Sequence, residues 1–471
     1  MERDEIKSIL ESLLFVADGP QSVQRLAEVL DPVDKELIHE LLHELRQDFE
    51  AQNRGIRLVE VAGGYQLRTP KANAEAVKKF LGGRPARMGG MWVRHLVGGL
   101  AAVAALAGAT AVAVPAVRHS DAATTVSVVA AAAPPALPAG PLPAAVRARW
   151  SAPSRVASSR ATSVETGTVV VADGSGVAGR DPVTGAQRWA YHRGNARLCG
   201  WTARDGVVVA AFGKSDGCTD LTALDAGTGA RRWYRNADLG PEADLTGAAG
   251  VVVARSGDQL LAVDTATGLN RWTARKPGCR YGPVVVGSLG AVAVLHCGDR
   301  VELVSHDPYA DRQRFSVRAP GADPVVLAVS DQEVAVLAGA RDRRTLTVYG
   351  GSGRRLGAVT DRRVAGPVPS DWPAGVAAGG LLLFWTGRSV LAIDPVVDTV
   401  RWVAPAGGPP TLDGDRILFA VPGAFVECAP RTGRQLAKVA ADTAGPGPGA
   451  ALRRIGRLVV ATAGERVTVF G

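Results

Sequence analysis

Asp181-Pro-Val-Thr-Gly185-Ala-Gln-Arg-Trp189 decides the reading of this chain, because it returns. It recurs as Asp225-Ala-Gly-Thr-Gly229-Ala-Arg-Arg-Trp233 and as Asp264-Thr-Ala-Thr-Gly268-Leu-Asn-Arg-Trp272. With Asp in place of Gly it recurs again as Asp394-Pro-Val-Val-Asp398-Thr-Val-Arg-Trp402. Weaker copies stand at Asp307-Pro-Tyr-Ala-Asp311-Arg-Gln-Arg-Phe315, Gly351-Ser-Gly353 and Arg431-Thr-Gly433, and Val467-Thr-Val-Phe470 matches the strand that precedes each turn. The intervals run from about 35 to about 45 residues, the length of one four-stranded propeller blade.

Each copy reads as strand, turn, strand. Leu260-Leu-Ala-Val263 leads into Asp264, whose carboxylate caps the turn, and Gly268 supplies the positive φ that the turn needs. Trp272 then falls on the return strand, where its ring packs between neighbouring blades. Eight marks between residues 181 and 470 predict an all-β propeller of eight blades, with seven as the alternative count and residues 160–172 closing the ring. The 56 Gly and 29 Pro among 471 residues agree with turn-rich β structure and exclude a coiled coil.

The Asp-x-x-Thr-Gly-x-x-x-Trp repeat is similar to that of PQQ-like propellers, a group that includes quinoprotein dehydrogenases and the BamB outer-membrane assembly factors. The resemblance covers residues 150–471 and implies the fold. Quinoprotein dehydrogenases carry adjacent cysteines beside the cofactor; no Cys-Cys pair occurs here, nor a Gly-x-Ser-x-Gly elbow. No catalytic, cofactor-binding or metal-ligating residue is therefore assigned, and the expectation is a non-enzymatic propeller that binds a protein or envelope ligand. All five cysteines lie in this part. Cys199 with Cys218, and Cys279 with Cys297, suit pairing across strands within one blade, which leaves Cys428 without a partner and implies an oxidising compartment.

The first 87 residues are a different problem. They hold 13 Lys+Arg against 15 Asp+Glu, whereas residues 88–471 hold 41 against 30. The basic residues also change type, from 8 Arg and 5 Lys to 38 Arg and 3 Lys. That break places a junction at Arg87/Met88. Before it, Ile6, Ile9, Leu10, Leu13 and Leu14 recur at helical spacing. A short second helix with Leu26, Val29 and Leu30 follows Ser22. A third, from about Asp34, buries Leu37, Ile38, Leu41, Leu42, Leu45 and Phe49. The period then becomes two, with Ile56 and Leu58 opposite Tyr65 and Leu67 across a hairpin at Gly63-Gly64. Three helices followed by a hairpin is a winged-helix order, and a last helix is expected over residues 71–81. The third helix carries Asp34, Glu36, Glu40, Glu44, Asp48 and Glu50, so a phosphate backbone is repelled and a protein partner is expected rather than nucleic acid. His39 and His43 read as helix-face side chains.

Glu11-Ser-Leu-Leu-Phe-Val16, Gly19-Pro20 and Arg54-Gly-Ile-Arg-Leu-Val-Glu-Val-Ala-Gly-Gly-Tyr-Gln-Leu-Arg-Thr69 resemble the first winged helix of ScpB, the bacterial segregation and condensation protein. The resemblance implies self-association, alongside a kleisin and an SMC ATPase. The family's second winged helix is replaced here by an apolar segment, so kleisin binding is not carried over.

That segment, residues 96–117, runs 22 residues without a charge, long enough to span a bilayer. Arg84, Arg87 and Arg94 precede it, which predicts a cytoplasmic N-terminus and an extracytoplasmic propeller. The expected map is a winged helix over residues 1–83, a basic junction over 84–95, a transmembrane helix or signal anchor over 96–117, an Ala/Pro-rich linker over 118–149 and the propeller over 150–471. The expected protein is a single-pass fusion in the bacterial cell membrane acting as a binding scaffold. A chromosome-segregation adaptor is the alternative, and a quinoprotein dehydrogenase a further one.

Overall fold

The structure is a computed structural model. It describes residues 3–16, 21–30, 33–52, 55–61, 64–73, 124–155, 164–214, 217–330, 333–340, 343–360, 375–395, 397, 399–442 and 445–471. The chain divides into two compact units, Met1–Gly99 and Leu100–Gly471.

In the first unit, α1 (Arg3–Val16), α2 (Val23–Val29) and α3 (Lys35–Ala51) precede a two-stranded hairpin, Arg57–Val61 with Gly64–Arg68. Asp34 caps α3 by accepting from the Glu36 N–H. One face of each helix feeds a single core of Ile6, Leu10, Leu14, Leu26, Ile38, Leu41, Leu42, Leu45 and Phe49, closed by Leu58 and Tyr65 from the hairpin. Gln21 adds a third edge through two backbone hydrogen bonds with Tyr65. A Cβ on Gly64 would stand 2.9 Å from the Gln21 backbone, which is why a residue without one sits there. Of the helix expected over 71–81, Lys71–Asn73 forms one 3-10 turn and the remainder lies outside the described residues.

The transmembrane helix requires correction, and with it the membrane partner and the single-pass location. No helix among the described residues is long and apolar enough to cross a membrane. The longest, α3, has 17 residues and five carboxylates. At about 1.5 Å per residue it falls short of a ~30 Å hydrocarbon layer. Residues 96–117 themselves lie outside the described residues. Their composition is dominated by Ala and Gly, with Pro115 near the end, and Ala and Gly supply little of the apolar surface that favours burial in lipid.

The second unit is an eight-bladed propeller, each blade an antiparallel sheet of four principal strands. The first strands of successive blades lie against one another, so they form the inner wall. Up-and-down order places the turns between strands one and two, and between three and four, on one face of the ring. The Asp-to-Trp turns occupy that face. The opposite face carries the remaining hairpin loops and the interblade connections.

Ring closure differs from expectation. Blade 8 takes Ala451–Ile455, Leu458–Ala463 and Arg466–Phe470, and its fourth strand is Ala148–Pro153. Residues expected to close the ring instead begin blade 1, as Val164–Glu165 and Thr168–Ala172; residues 156–163 lie outside the described residues. Of the stretch read as a linker, residues 124–149 are also part of the propeller. Thr125–Val128 pairs with the outer strand of blade 1, Gln187–Arg193, and Ala145–Val146 pairs with the outer strand of blade 7, Gln435–Ala441. Between these anchors the chain crosses the turn face. Ala130 donates to Thr228 O, Arg188 donates to Ala132 O and Arg454 to Gly140 O.

Candidate functional site

The repeat residues converge on the turn face, and their hydrogen bonds account for the sequence. Asp225 Oδ1 accepts from the N–H groups of Gly227 and Thr228 and from the Thr228 hydroxyl, while Oδ2 takes the Arg232 guanidinium at 2.6 Å. Asp264 repeats this with Ala266, Thr267 and Arg271, and Asp181 with Val183 and Thr184. Asp394 receives the Val397 N–H and both forks of Arg401. Gly185, Gly229 and Gly268 hold φ near +70°, between +71° and +75°.

Each tryptophan belongs to the next blade as much as to its own. Trp189 donates its indole N–H to Ala226 O, Trp233 to Thr265 O and Trp402 to Pro430 O, at 2.8–3.0 Å. A Cβ on Gly229 would sit 2.6 Å from Trp189, and one on Gly268 would meet Trp233 at the same distance. The glycine is thus required twice, by its backbone and by the ring lying on it. The chain departs from this pattern once among the strong copies. Trp272 stacks on His306 at 5.3 Å, and both Trp272 Nε1 and His306 Nε2 are buried without a hydrogen-bond partner. The next turn carries Asp311, whereas the turns that meet Trp189, Trp233 and Trp402 carry Gly229, Gly268 and Gly433.

Three signals in the sequence were not used and would have added to the site. Arg232, Arg271, Arg314 and Arg401 each stand seven residues after the turn Asp and pair with it. A small residue two before the Asp faces the Trp across the ladder: Gly179 with Trp189, Ala223 with Trp233, Ala262 with Trp272 and Ala392 with Trp402. Trp150 is the interblade tryptophan of blade 8; it donates to Pro182 O and covers Gly185. Its doublet Arg149-Trp150 repeats Arg188-Trp189 and Arg232-Trp233, and marks the closing strand.

Two disulfides stiffen the opposite face. Cys199–Cys218 bridges the first and third strands of blade 2, passing a register shift between Leu198 and Gly200, and Cys279–Cys297 ties the entry of blade 4 to its second strand. Cys428 is buried and free, its thiol pushed up to about 11 by burial. On the same face a cavity of about 380 Å³ opens between Trp385, Val421, Pro422, Pro446 and Pro448. Arg453, on the inner strand of blade 8, is open to solvent yet surrounded by protein, which lowers its pKa through burial and then through Arg204, against Glu165.

The turn carboxylates are the electrostatic signature of the ring. Burial alone would raise Asp225, but the Arg232 guanidinium, the Thr228 hydroxyl and the Thr228 N–H outweigh it and hold the carboxyl below its usual range. Asp181 and Asp264 are lowered in the same way, against their own burial. At Asp307, burial is overcome by the Tyr309 N–H with Arg312 and Arg314, and the value falls to about 2. A carboxyl depressed on folding contributes stability above its unfolded pKa and loses it as pH falls towards the folded value. The propeller is expected to lose stability between about pH 4 and pH 2, and Asp307→Asn is expected to flatten that decline in thermal melts across the range. An unchanged slope would exclude Asp307 as a contributor.

Residues 8–131 match the family described as segregation and condensation complex subunit ScpB. Residues 146–274 and 195–341 match the outer membrane protein assembly factor BamB family. The chain joins a ScpB-like domain to a BamB-like propeller. Segregation and condensation protein B of Syntrophotalea carbinolica is 42% identical over 88 residues, 19% of this chain and 44% of that protein. The chain therefore spans less than half the length of that curated relative. BamB of Moraxella catarrhalis aligns with TM-score 0.45 at 16% identity, over 69% of this chain and 99% of that one. A dimer of the ScpB N-terminal domain complexed with ScpA peptide aligns with TM-score 0.16 at 37% identity, over 16% of this chain and 95% of that one.

In the ScpB-like domain, Arg3 bridges Glu40 and Glu44, and Lys7 bridges Glu44 and Asp48, so the basic residues of α1 neutralise part of the acidic α3. The Tyr65 hydroxyl lies 3.3 Å from His39 Nε2. Phe15 is 77% exposed, and Val29 is open to solvent as well.

Proposed function

We propose that the chain is a scaffold. Its BamB-like propeller binds a protein or other ligand without catalysing a reaction on it, and its ScpB-like domain self-associates. The observation that carries the propeller half is the commitment of the repeat chemistry to the ring. Turn carboxylates, threonines, arginines and the indoles of Trp189, Trp233 and Trp402 make their hydrogen bonds within or between blades, and four of the five thiols are in disulfides. The ScpB-like half is supported by the identity to curated ScpB, by the dimeric ScpB domain named above and by the exposed Phe15 side chain. Burying such a ring contributes about 2 kcal/mol per copy.

Sedimentation of the full chain is expected to show a dimer at about 10 µM, and Phe15→Ser, which removes the ring from both copies, to weaken it about a thousandfold, which corresponds to ~4 kcal/mol. A monomer throughout that range overturns the self-association. Titration with a quinone cofactor and Ca²⁺ addresses the propeller: stoichiometric uptake, read by absorbance, would displace the scaffold reading in favour of a quinoprotein.

A further inference from the structure

Residues 131–143 are held on the propeller without being part of its core. None of them is buried; Pro134, Leu137, Gly140 and Leu142 are half-buried and the others are exposed. Between the anchors at Ala130 and Ala144 the polar ties are the bonds from Arg188 to Ala132 O and from Arg454 to Gly140 O. With Pro134, Pro135, Pro138, Pro141 and Pro143, the segment favours an extended polyproline-type backbone with few internal hydrogen bonds to lose.

The surface beneath it is shaped to this occupant. A Cβ on Gly227 would lie 3.0 Å from the Ala133 side chain. One on Gly167 would lie 3.2 Å from Pro134, and one on Gly456 would lie 2.8 Å from Leu137. Gly167 and Gly456 have positive φ and are required by their turns. Gly227 is not, and the same turn position holds Val183 in blade 1 and Ala266 in blade 3. The missing side chain at 227 therefore answers to the segment above it. Three glycine notches on blades 2, 1 and 8, with two arginines that donate to main-chain carbonyls, make a groove that reads an extended backbone carrying small and proline side chains.

We propose that this groove is a binding site for extended Ala/Pro-rich polypeptide, filled in cis by residues 131–143 and opened to a partner segment of the same chemistry when they lift away. Lifting breaks few hydrogen bonds and withdraws two half-buried side chains, Leu137 and Leu142, from the buried clusters they pack against, so it is a local opening of the fold. The inference rests on the scaffold reading and names its partner class.

The test uses the full chain with residues 131–143 replaced by Gly/Ser of equal length, which keeps the strands Thr125–Val128 and Ala148–Pro153. A labelled peptide of residues 129–144 is expected to bind this variant at about 10 µM and the unaltered chain at least about tenfold more weakly. Adding Gly227→Val or Arg188→Ala to the variant is expected to reduce binding about tenfold, and a Gly/Ser peptide is expected not to bind. In the unaltered chain, amide exchange over the segment is expected to outpace exchange in the strand Val207–Lys214. A folded variant that ignores the peptide overturns the groove, as does equal binding by both chains. A replaced chain that fails to fold, or segment amides as protected as the strand, shows a structural clasp and also overturns it. The scaffold reading stands or falls separately, on sedimentation and cofactor uptake.

Discussion

Trp189→Ala is expected to lower the melting temperature of the propeller by roughly 10 °C, the largest effect of any single repeat position. The ring is fully buried between blades 1 and 2, and removing a buried aromatic costs about 3–5 kcal/mol, which in a chain of this size is about 2 °C or more per kcal/mol. The indole bond to Ala226 O adds to this, because the carbonyl would be left in an apolar interface. Phenylalanine substitutions separate the two contributions. Trp189→Phe loses the hydrogen bond along with part of the ring. Trp272→Phe loses part of the ring only, since its indole N–H has no hydrogen-bond partner. The first is expected to cost about 1 kcal/mol more than the second. Equal losses in calorimetry would show that the interblade hydrogen bond contributes nothing net.

Removal of the disulfides is expected to have the second large effect. Each closes a loop of 18 or 19 residues, and restricting the unfolded chain over that length is worth about 3 kcal/mol. Cys199→Ala with Cys218→Ala, and Cys279→Ala with Cys297→Ala, should each lower the denaturation midpoint by a similar amount. Together they should add, because they lie in blades 2 and 4 and share no partner. Alanine suits the first pair because Cys218 is fully buried. Peptide mapping without reductant should return these two bridges and one free thiol, Cys428. That thiol should resist alkylation until the chain unfolds, since its raised pKa keeps it protonated at neutral pH. Five thiols reacting in the folded, unreduced protein would remove the stabilisation argument.

The repeat was legible because it is local. Asp225, Thr228, Gly229 and Arg232 lie within eight residues, and their hydrogen bonds close inside one turn, so spacing alone identifies the motif and the strand on each side. The winged-helix order was legible for a similar reason: the change of hydrophobic period from helix to strand falls between Phe49 and Leu58, and the core residues follow that period. Both cysteine pairs sit within single blades, and their separations reflect one hairpin's length.

What escaped the sequence depends on partners far along the chain. Ala148–Pro153 finds Arg466–Phe470 across more than 300 residues, and only closing the ring selects it over the nearer strands at 164–172. The Ala/Pro-rich stretch reads as a spacer because its own side chains bury almost nothing. Its place is fixed by glycine notches on blades 1, 2 and 8 and by Arg188 and Arg454, whose spacing gives no sign of the segment above them. The uncharged run at 96–117 satisfies the length rule for a membrane span, but length and absence of charge say nothing of what surrounds a segment in three dimensions. Local periodicity, turn chemistry and paired cysteines determined the two folds. Ring closure, the tryptophan of the closing blade and the occupant of the turn face were decided by tertiary structure, because they rest on surfaces that exist only once the blades have assembled.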